Sequence, residues 1–339
     1  MDLENRKFNM SPIKTEDKVL FFGTAALSMT MIGYSLSKGT GAMMRFINKW
    51  EIPSVIRETS VTSVYDYLKN PVIAIRKIGE RRALKESLNK LVFTEQINNK
   101  YQELVGTTTY AATQKLRTNR RNVMVYGPPG NGKSSFVRKI AINSGVHYAV
   151  INGIDLMSRN QKLVPEIQKL FDWIYKRRSN PFVLLVLKAD EFFNNRTNEH
   201  IREATCIFSE KLKNNNFNSL MVLMTADNQI YNIKINDYIN DFVFILTPEK
   251  EQKLKLIRLY AEKYILSVED KYRKELESIY DEIASATKNM SCQDIEMLVK
   301  LWKILLYESK SDKNPKQIIL ECCYRTIQDN KKKVKKCII

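Results

Sequence analysis

The sequence predicts an α/β fold in which a parallel β-sheet is flanked by helices and is followed by a smaller, all-helical domain. Between residues 119 and 247, short apolar segments typical of strands alternate with amphipathic segments typical of helices. This order favours a parallel sheet that is covered on both faces. After residue 247 the strand pattern stops. A hydrophobic content of 44% supplies enough apolar side chains for a folded core.

The predicted strands lie at 122–126, 147–152, 182–187, 220–225 and 242–246. The third of these is apolar throughout, as expected of a strand with both faces covered. Helices are expected between the first four strands because apolar residues recur there at helical spacing. Their apolar faces are Phe136, Val137, Ile140 and Ala141, then Leu163, Ile167, Leu170, Phe171 and Ile174, then Ile201, Ala204, Phe208 and Leu212.

Two helix starts are predicted in the C-terminal part of the chain. Thr247 is expected to cap a helix that has Pro248 at its first position. Further along, Ser291 and Asp294 form a capping-box pattern in front of an apolar stripe. The C-terminal part is therefore predicted to be a small helical domain.

The charge balance favours anionic partners without identifying one. The chain has 55 Lys and Arg against 37 Asp and Glu, which gives a net charge of +18 and a pI near 9.5. Nucleic acid, a cardiolipin-rich membrane and an acidic protein all attract such a chain. The simpler alternative is a lysine-rich proteome together with residence in the mitochondrial matrix, because net charge alone names no partner.

The five cysteines and two histidines are scattered along the sequence, without the paired spacing of metal ligands. A zinc site and a disulfide framework are therefore not expected. Scattered thiols are typical of a reducing compartment, such as the cytosol or the mitochondrial matrix.

The segment Gly-Pro-Pro-Gly-Asn-Gly-Lys-Ser at 127–134 fits the phosphate-loop pattern G-x-x-x-x-G-K-[ST]. It follows a predicted strand and opens a predicted helix, which is the context that the pattern requires. The glycines allow backbone N–H groups to turn toward phosphate oxygens. Lys133 is expected to contact the β- and γ-phosphates, and the Ser134 hydroxyl to bind Mg²⁺. The sequence thus predicts that ATP or ADP is bound by Gly127, Pro128, Pro129, Gly130, Asn131, Gly132, Lys133, Ser134 and Ser135.

Hydrolysis would also need carboxylates at the end of a central strand, one to hold Mg²⁺ and one to activate water. The strand at 182–187 is followed first by Lys188 and only then by Asp190 and Glu191. On one interpretation Asp190 and Glu191 are the catalytic pair, and Asp190 is also a metal ligand. On the other, the pair is missing and Leu187 and Lys188 occupy its two positions.

Residues 19–37 contain no charged side chain and are predicted to form a transmembrane helix. Nineteen helical residues span roughly 28 Å, close to the thickness of the hydrocarbon layer. A cleaved targeting segment and a core helix are the alternatives. Acidic residues in front of the segment argue against a transit peptide, which is usually acid-poor.

Further local matches extend a family resemblance beyond the phosphate loop. They lie, in order, at 56–60, 70–71, 121–126, 171–173, 226–229, 235–237 and 290–291. With the phosphate loop and the uncharged N-terminal segment, they make roughly residues 18–305 resemble the ATPase family AAA domain-containing protein 3 group, AAA proteins of the mitochondrial inner membrane. The resemblance implies an AAA-type P-loop NTPase core, a helical lid, and a nucleotide-binding domain on the matrix side.

The departures from this family concern residues that handle charge. The family's strand ends in Asp-Glu-Ala-Asp-x-Phe, and the resemblance places Leu187 at its metal-binding Asp and Lys188 at its catalytic Glu. Tyr238 stands where the family has an arginine finger, and Ser-Cys-Gln at 291–293 replaces the Ser-Gly-Arg of the second sensor. Asn228 matches the first sensor. Loss of an arginine finger alone lowers the rate by about 10³–10⁵, and a charged lysine cannot act as a base.

These observations divide the chain into six parts and favour one function over two others. The favoured function is a hydrolysis-deficient, ATP-binding AAA protein that acts as a scaffold subunit, with protein partners, in a complex of the mitochondrial inner membrane. One alternative is an active AAA ATPase that remodels membrane or protein substrates. The lesser alternative is nucleic-acid binding, for which the lysine-rich end supports only weak, salt-dependent contacts.

The six predicted parts of the chain are an N-terminal segment (1–18), the transmembrane helix (19–37), a helical connector (38–118), the AAA nucleotide-binding domain (119–247), a helical lid (248–330) and a basic tail (331–339).

Overall fold

The computed structural model describes residues 52–61, 71–114, 121–176, 181–195, 198–213, 220–227, 230, 233–266, 273–288, 290–308 and 315–336. The chain divides into two compact units, one made of 1–53 and 61–83, the other of 54–60 and 84–339. Residues 71–83 of the first unit are the N-terminal part of helix α1, Pro71–Asn89. The predicted transmembrane segment lies outside the described residues. None of the described helices combines the length and apolar character that crossing a membrane needs.

The second unit is built on a six-stranded sheet. Five strands pair in parallel, as the alternating sequence pattern predicts. The sixth, β1, is antiparallel to its neighbour. The order across the sheet is β1-β3-β4-β5-β2-β6. The strands are β1 (Glu58–Thr59), β2 (Val123–Tyr126), β3 (His147–Asn152), β4 (Phe182–Leu187), β5 (Leu220–Ala226) and β6 (Asp241–Phe244).

Strand β1 departs from the helical connector that the sequence predicts at 38–118. The Arg57 backbone N–H donates to the Val150 carbonyl over 2.9 Å, and the Ser60 N–H donates to the Tyr148 carbonyl over 3.0 Å. Such a short edge strand carries no alternation that a sequence pattern could detect. The pairing is therefore decided by the exposed edge of β3.

Helices cover both faces of the sheet. The three predicted apolar faces are buried, which confirms those helices. Helix α2, from the predicted connector, also packs on this core through the fully buried Leu104. Thr94 caps α2 by accepting a hydrogen bond from the Ile97 N–H over 3.3 Å. The helices of this layer are α2 (Glu95–Thr113), α3 (Lys133–Asn143), α4 (Gly153–Met157), α5 (Leu163–Tyr175), α6 (Ala189–Phe193), α7 (Glu199–Lys213) and α8 (Ile233–Asn236).

The C-terminal helices form a lid with its own hydrophobic core, in which Trp302 is fully buried. Helix α13 continues to Lys336 and so includes most of the predicted basic tail. A π-helical turn, Glu262–Leu266, directly follows α9. The lid helices are α9 (Lys250–Ala261), α10 (Arg273–Glu277), α11 (Tyr280–Ala286), α12 (Cys292–Glu308) and α13 (Pro315–Lys336).

The start of α9 corrects one sequence prediction. The cap is Glu249 rather than Thr247, and a capping box joins it to Gln252, whose side chain accepts from the Glu249 N–H over 3.2 Å. With Thr247 as the cap, the reciprocal partner would be Lys250, and a lysine side chain cannot accept a hydrogen bond.

The predicted cap of α12 is confirmed. The Asp294 N–H donates to Ser291 Oγ over 3.2 Å, and the Ser291 N–H donates to the Asp294 carboxylate over 3.0 Å. Two backbone donors at the start of α12 are satisfied by this exchange. The cap matters for the site because the first turn of α12 contacts the phosphate loop.

Candidate nucleotide-binding site

The phosphate loop joins the end of β2 to the start of α3, and its three glycines have positive φ angles. These are 146° at Gly127, 80° at Gly130 and 85° at Gly132. A side chain would also collide with neighbouring groups. A Cβ on Gly127 would lie 2.2 Å from the Ile245 carbonyl oxygen, and one on Gly130 would lie 2.6 Å from Ser291 Oγ. The loop therefore needs glycine for its conformation and for its close fit against β6 and α12.

Lys133 is the buried cation of this loop. Its ammonium donates to the carbonyls of Gly127 and Pro128, each over 2.7 Å. It also forms an ion pair with Asp227, with 2.6 Å between Nζ and Oδ1. Only 6% of the Lys133 side chain is exposed, against 31% for Asp227. The predicted phosphate-binding lysine is thus held at the base of the loop by three oxygens.

A cavity of about 490 Å³ opens beside the loop, within the size range of ligand sites. It brings together the predicted residues from Pro129 to Ser135, whereas Gly127 and Pro128 do not line it. The remaining lining is polar where the strands end and largely apolar next to α2 and the lid. Strand ends contribute Lys188, Thr225 and Asp227; the segment before α2 contributes Leu91, Val92 and Phe93; the lid contributes Leu256, Tyr260, Cys292, Gln293 and Glu296.

Lys188, directly after β4, stands at the polar end of the cavity. Its backbone is left-handed, with φ 50° and ψ 52°, which a non-glycine residue rarely adopts. Its N–H donates to Thr225 Oγ1 over 3.1 Å. Its carbonyl oxygen lies so close to Gly153 that a Cβ added to that glycine would be only 2.1 Å away from it. Two neighbouring elements therefore hold this unusual conformation and place an exposed lysine at the cavity.

The acidic pair that follows β4 does not reach the cavity lining. Asp190 is buried in α6, and its Oδ2 accepts the backbone N–H of Asp227 over 3.2 Å. Glu191 is exposed. Leu187 is buried in β4 opposite Asn152. The structure thus brings Asp190 to the end of β5 rather than to the phosphate loop, and the predicted catalytic and metal-binding roles of the pair stay predictions.

The structure describes the position of the arginine finger and that of the second sensor. Asn228 lies outside the described residues. Tyr238 is half-buried, and its carbonyl accepts the Asn122 side-chain amide over 2.8 Å. Gln293 lines the cavity, and its backbone N–H donates to the Gly130 carbonyl over 3.1 Å. The lid is therefore joined to the phosphate loop through backbone atoms at this point.

Lid side chains give the cavity wall a defined charge pattern. Burial by itself raises the pKa of Glu296, but a hydrogen bond from Tyr264 and the Lys300 ammonium, 2.9 Å away, outweigh it, so the pKa lies below its usual value. Glu296 is therefore ionised at neutral pH. Burial raises the pKa of the Cys292 thiol to about 11, so this thiol is protonated at neutral pH.

Several of these lining residues were not predicted from the sequence. Asp227 directly follows β5, and ligands bind outside the carboxyl ends of parallel strands, so its position carried a detectable signal. Leu91, Val92 and Tyr260 carried none. They come from segments far from the loop in sequence, and only the packing of α2 and the lid brings them to the cavity.

The residues present fit a nucleotide. Gly130 and Gly132 hold the loop in its positive-φ conformation, and Lys133 supplies the cation. Asn131 is 2% exposed, and neither polar atom of its amide has a hydrogen-bond partner among the residues that the structure describes. Buried polar atoms are nearly always paired, so a polar ligand at this loop is expected.

Oxygen donors suited to Mg²⁺ line the same cavity. Two of them are the Ser134 hydroxyl and the Asp227 carboxylate. The described ranges contain no cluster of three or more His, Cys, Asp and Glu that could hold a metal ion. A nucleotide-bound Mg²⁺ needs no such cluster, because one or two protein oxygens and the phosphates complete its coordination. The two donors therefore fit a metal that arrives with the nucleotide.

Comparisons with known proteins agree with this geometry. A family model described as ATPase family associated with various cellular activities (AAA) matches residues 123–242, from β2 into β6. ATPase family AAA domain-containing protein 3 of Bos taurus is 30% identical over 299 residues, or 84% of this chain and 50% of the relative. The 3A protein of Homo sapiens is 31% identical over 301 residues, with the same coverage. The 3A homologue of Drosophila melanogaster is 29% identical over 336 residues, or 94% and 54%.

This chain spans about half the length of these relatives, so the similarity extends over most of the chain but not over most of the relatives. The family model covers the sheet and the phosphate loop, and the relatives extend the match into the lid. The similarity confirms the resemblance that the local motifs indicate. The chain contains an AAA domain at residues 123–242, and over most of its length it is similar to ATPase family AAA domain-containing protein 3.

Proposed function

We propose that this chain is a hydrolysis-deficient AAA protein that binds ATP and acts as a scaffold subunit of a membrane assembly. One observation carries the proposal: the end of β4 presents Lys188 to the cavity, whereas Asp190 and Glu191 do not line it. The phosphate loop keeps every feature needed for binding. Binding and turnover are therefore separable in this site.

The chemistry at the end of β4 supports the loss of turnover. A general base must accept a proton from the attacking water, and a charged lysine cannot accept one. Lys188 is exposed and lines the cavity. Its charge would instead attract a phosphate group. Tyr238, at the finger position, has no positive charge with which to stabilise a transferring phosphate.

A membrane location and protein partners are also part of this proposal. The uncharged segment at 19–37 and the resemblance to a family of the mitochondrial inner membrane support a membrane anchor with the AAA domain in the matrix. A scaffold would bind ATP as a structural ligand and would use protein surfaces to hold its partners. The net charge of +18 is compatible with an anionic membrane surface beside the domain.

Nucleotide content and phosphate release from the full-length chain, purified in detergent, test this proposal. We expect ATP to be released intact on denaturation, and phosphate production no higher than in Lys133→Ala. Lys133→Ala should lose the bound nucleotide. Lys139→Met is the matched control because it removes a second buried lysine of α3 that lies outside the loop and contacts Tyr101. It should keep the nucleotide.

An active AAA ATPase is the second candidate. It is favoured by the carboxylate of Asp190. This buried group accepts a hydrogen bond from the backbone N–H of Asp227, a residue that lines the cavity, and so lies close to the site. Turnover by the wild-type chain that disappears in Lys133→Ala would establish this candidate and contradict the scaffold proposal. Turnover present equally in Lys133→Ala would indicate a contaminating ATPase.

A further inference from the structure

The carboxylate nearest to the phosphate-binding lysine comes from β5 and not from β4. Asp227 Oδ1 lies 2.6 Å from Lys133 Nζ, and Asp227 and Ser134 line the same cavity. Lys188 stands at the end of the neighbouring strand. At the polar end of the cavity, a lysine therefore follows β4 and a carboxylate follows β5.

We infer that Asp227 is the metal-facing carboxylate of this site, that it makes the site select the Mg²⁺ complex of the nucleotide, and that Asp190 positions it. The inference rests on the proposed nucleotide binding and deepens it. It assigns a binding role to a residue that carries none in the sequence motifs. It also explains why a buried acid, Asp190, lies next to Asp227 without lining the cavity.

The first step of the argument is electrostatic. Lys133 is the loop cation that contacts phosphate oxygens, so a carboxylate in contact with its ammonium lies close to those phosphates. Two anions repel each other, and more strongly in a partly enclosed cavity because the local dielectric constant there is below that of water. A divalent cation held by the carboxylate would remove that repulsion. A carboxylate oxygen is also among the ligands that Mg²⁺ prefers.

The second step concerns how Asp227 is held. Its backbone N–H donates to Asp190 Oδ2 over 3.2 Å, and Asp190 is 3% exposed. The side chain of Asp227 is then free to face Lys133 while its backbone is fixed from behind. Asp190 acts through Asp227 and not on the ligand, which makes it a positioning residue.

In the competing arrangement, Lys188 and not a metal ion neutralises the charge of the phosphates. A lysine at the phosphates could neutralise their charge without a divalent cation, and binding would then be indifferent to Mg²⁺. The two arrangements predict opposite results for one quantity, the ratio of the ATP Kd in EDTA to the ATP Kd in Mg²⁺. The ion pair between Asp227 and Lys133 favours a large ratio.

The experiment measures ATP binding to the full-length chain by isothermal titration calorimetry, in excess EDTA and in excess Mg²⁺. For the wild type we expect the Kd ratio to exceed about tenfold, the scale of a lost charged contact. In Asp227→Asn the ratio should fall close to one, because metal-free ATP binds better and the Mg²⁺ complex loses a ligand. Asp227→Glu should retain part of the ratio. A wild-type ratio close to one, or an unchanged ratio in Asp227→Asn, would overturn the inference.

Asp190→Asn separates the positioning role from direct ligation. The amide oxygen can still accept the Asp227 N–H, so this variant should keep most of the ratio, whereas Asp190→Ala, which has no side-chain acceptor, should lower it. If Asp190 itself ligated the metal, Asp190→Asn would lower the ratio as much as Asp227→Asn, and the inference would fall. Thermal unfolding without nucleotide checks that each variant is folded. Absence of ATP binding by the wild type in both buffers would overturn the proposed function as well, whereas equal binding in both overturns only the inference.

Discussion

Asp241, the first residue of β6, lies in a charged network at the edge of the sheet. It pairs with Arg121, and the Lys100 ammonium lies 3.3 Å from its Oδ1. Arg121 also reaches Glu103 over 2.6 Å, so the network joins α2 to the start of β2 and β6. The hydrogen bond from Arg121 is the main reason that the pKa of Asp241 lies below its ordinary value of 3.8.

Asp241→Asn should lower the free energy of unfolding by about 1–2 kcal/mol at pH 7. Because the folded pKa of Asp241 is depressed, its contribution is present above the unfolded pKa and is lost as the pH falls through the folded pKa. The difference between variant and wild type should therefore shrink below about pH 4. Urea unfolding as a function of pH measures it.

Asp281→Asn provides the control for this prediction. Asp281 pairs with Lys250 over 3.1 Å, but its side chain is 75% exposed, and exposed pairs contribute little. We expect no resolvable change. An equal loss in both variants, or a loss in Asp241→Asn that persists at low pH, would contradict the role given to this half-buried network.

The cysteines should differ in reactivity because they differ in burial. Cys206 is exposed on α7, whereas burial raises the pKa of Cys292 to about 11 and that of Cys323 to about 12. The thiolate is the reactive form. Among the described cysteines, Cys206 should therefore react first with iodoacetamide at pH 7.5, as followed by peptide mass spectrometry. Rapid labelling of Cys292 at this pH would show that the cavity wall is more open than the structure indicates.

At the scale of elements, the turn after β4 and the start of α4 fit together without space for a methyl group. The Lys188 carbonyl oxygen occupies the position next to Gly153, and Phe192 Cβ would lie 3.3 Å from an added Cβ. Gly106, inside α2, is in the opposite situation, since nothing lies within 4 Å of an added Cβ. These two glycines form a matched pair.

Gly153→Ala should lower the free energy of unfolding by about 1–3 kcal/mol, because the backbone of the β4–α6 turn must move. Gly106→Ala should raise it by about 0.5–1 kcal/mol, since alanine loses less entropy in a helix interior. Both are measured by urea unfolding at pH 7. A stabilised Gly153→Ala would mean that the left-handed turn at Lys188 is not held by this contact.

At the scale of the whole molecule, the cavity joins the sheet domain to the lid. Gln293 donates to the Gly130 carbonyl, and Tyr260 and Glu296 line the cavity opposite the phosphate loop. A nucleotide bound there contacts both domains. Its binding energy therefore contributes to the stability of both.

ATP with Mg²⁺ should raise the unfolding temperature of the full-length chain. At a free ATP concentration of about 100 times Kd, the stabilisation is about 2.7 kcal/mol. For a chain of 339 residues the shift should be about 4 °C, because the entropy of unfolding is about 2.1 cal/mol/K per residue. Lys133→Ala should show no shift. Limited proteolysis with and without ATP should show protection in the lid as well as in the sheet domain, and protection of the sheet domain alone would contradict a shared site.

The sequence by itself determined the parallel strands, the helices between them, the phosphate loop and the cap at Ser291, because each depends on local periodicity or on a fixed spacing of residue types. The strand limits agree with the structure to within two residues. Thr247 failed as a cap because cap choice depended on a reciprocal partner three residues on, which only Glu249 has.

Only the tertiary structure decided which side chains meet at the site. The sequence left open whether Asp190 and Glu191 or Lys188 serves the phosphates, because a one-residue shift at the end of β4 changes which side chain faces the cavity. The fold places Lys188 on the cavity lining, and not Asp190 or Glu191. It does so through contacts with distant elements, namely Thr225 on β5 and Gly153 on α4, which fix Lys188 in a left-handed turn. Asp227 reached Lys133 for the same reason: strand order, and not sequence spacing, places β5 next to the phosphate loop.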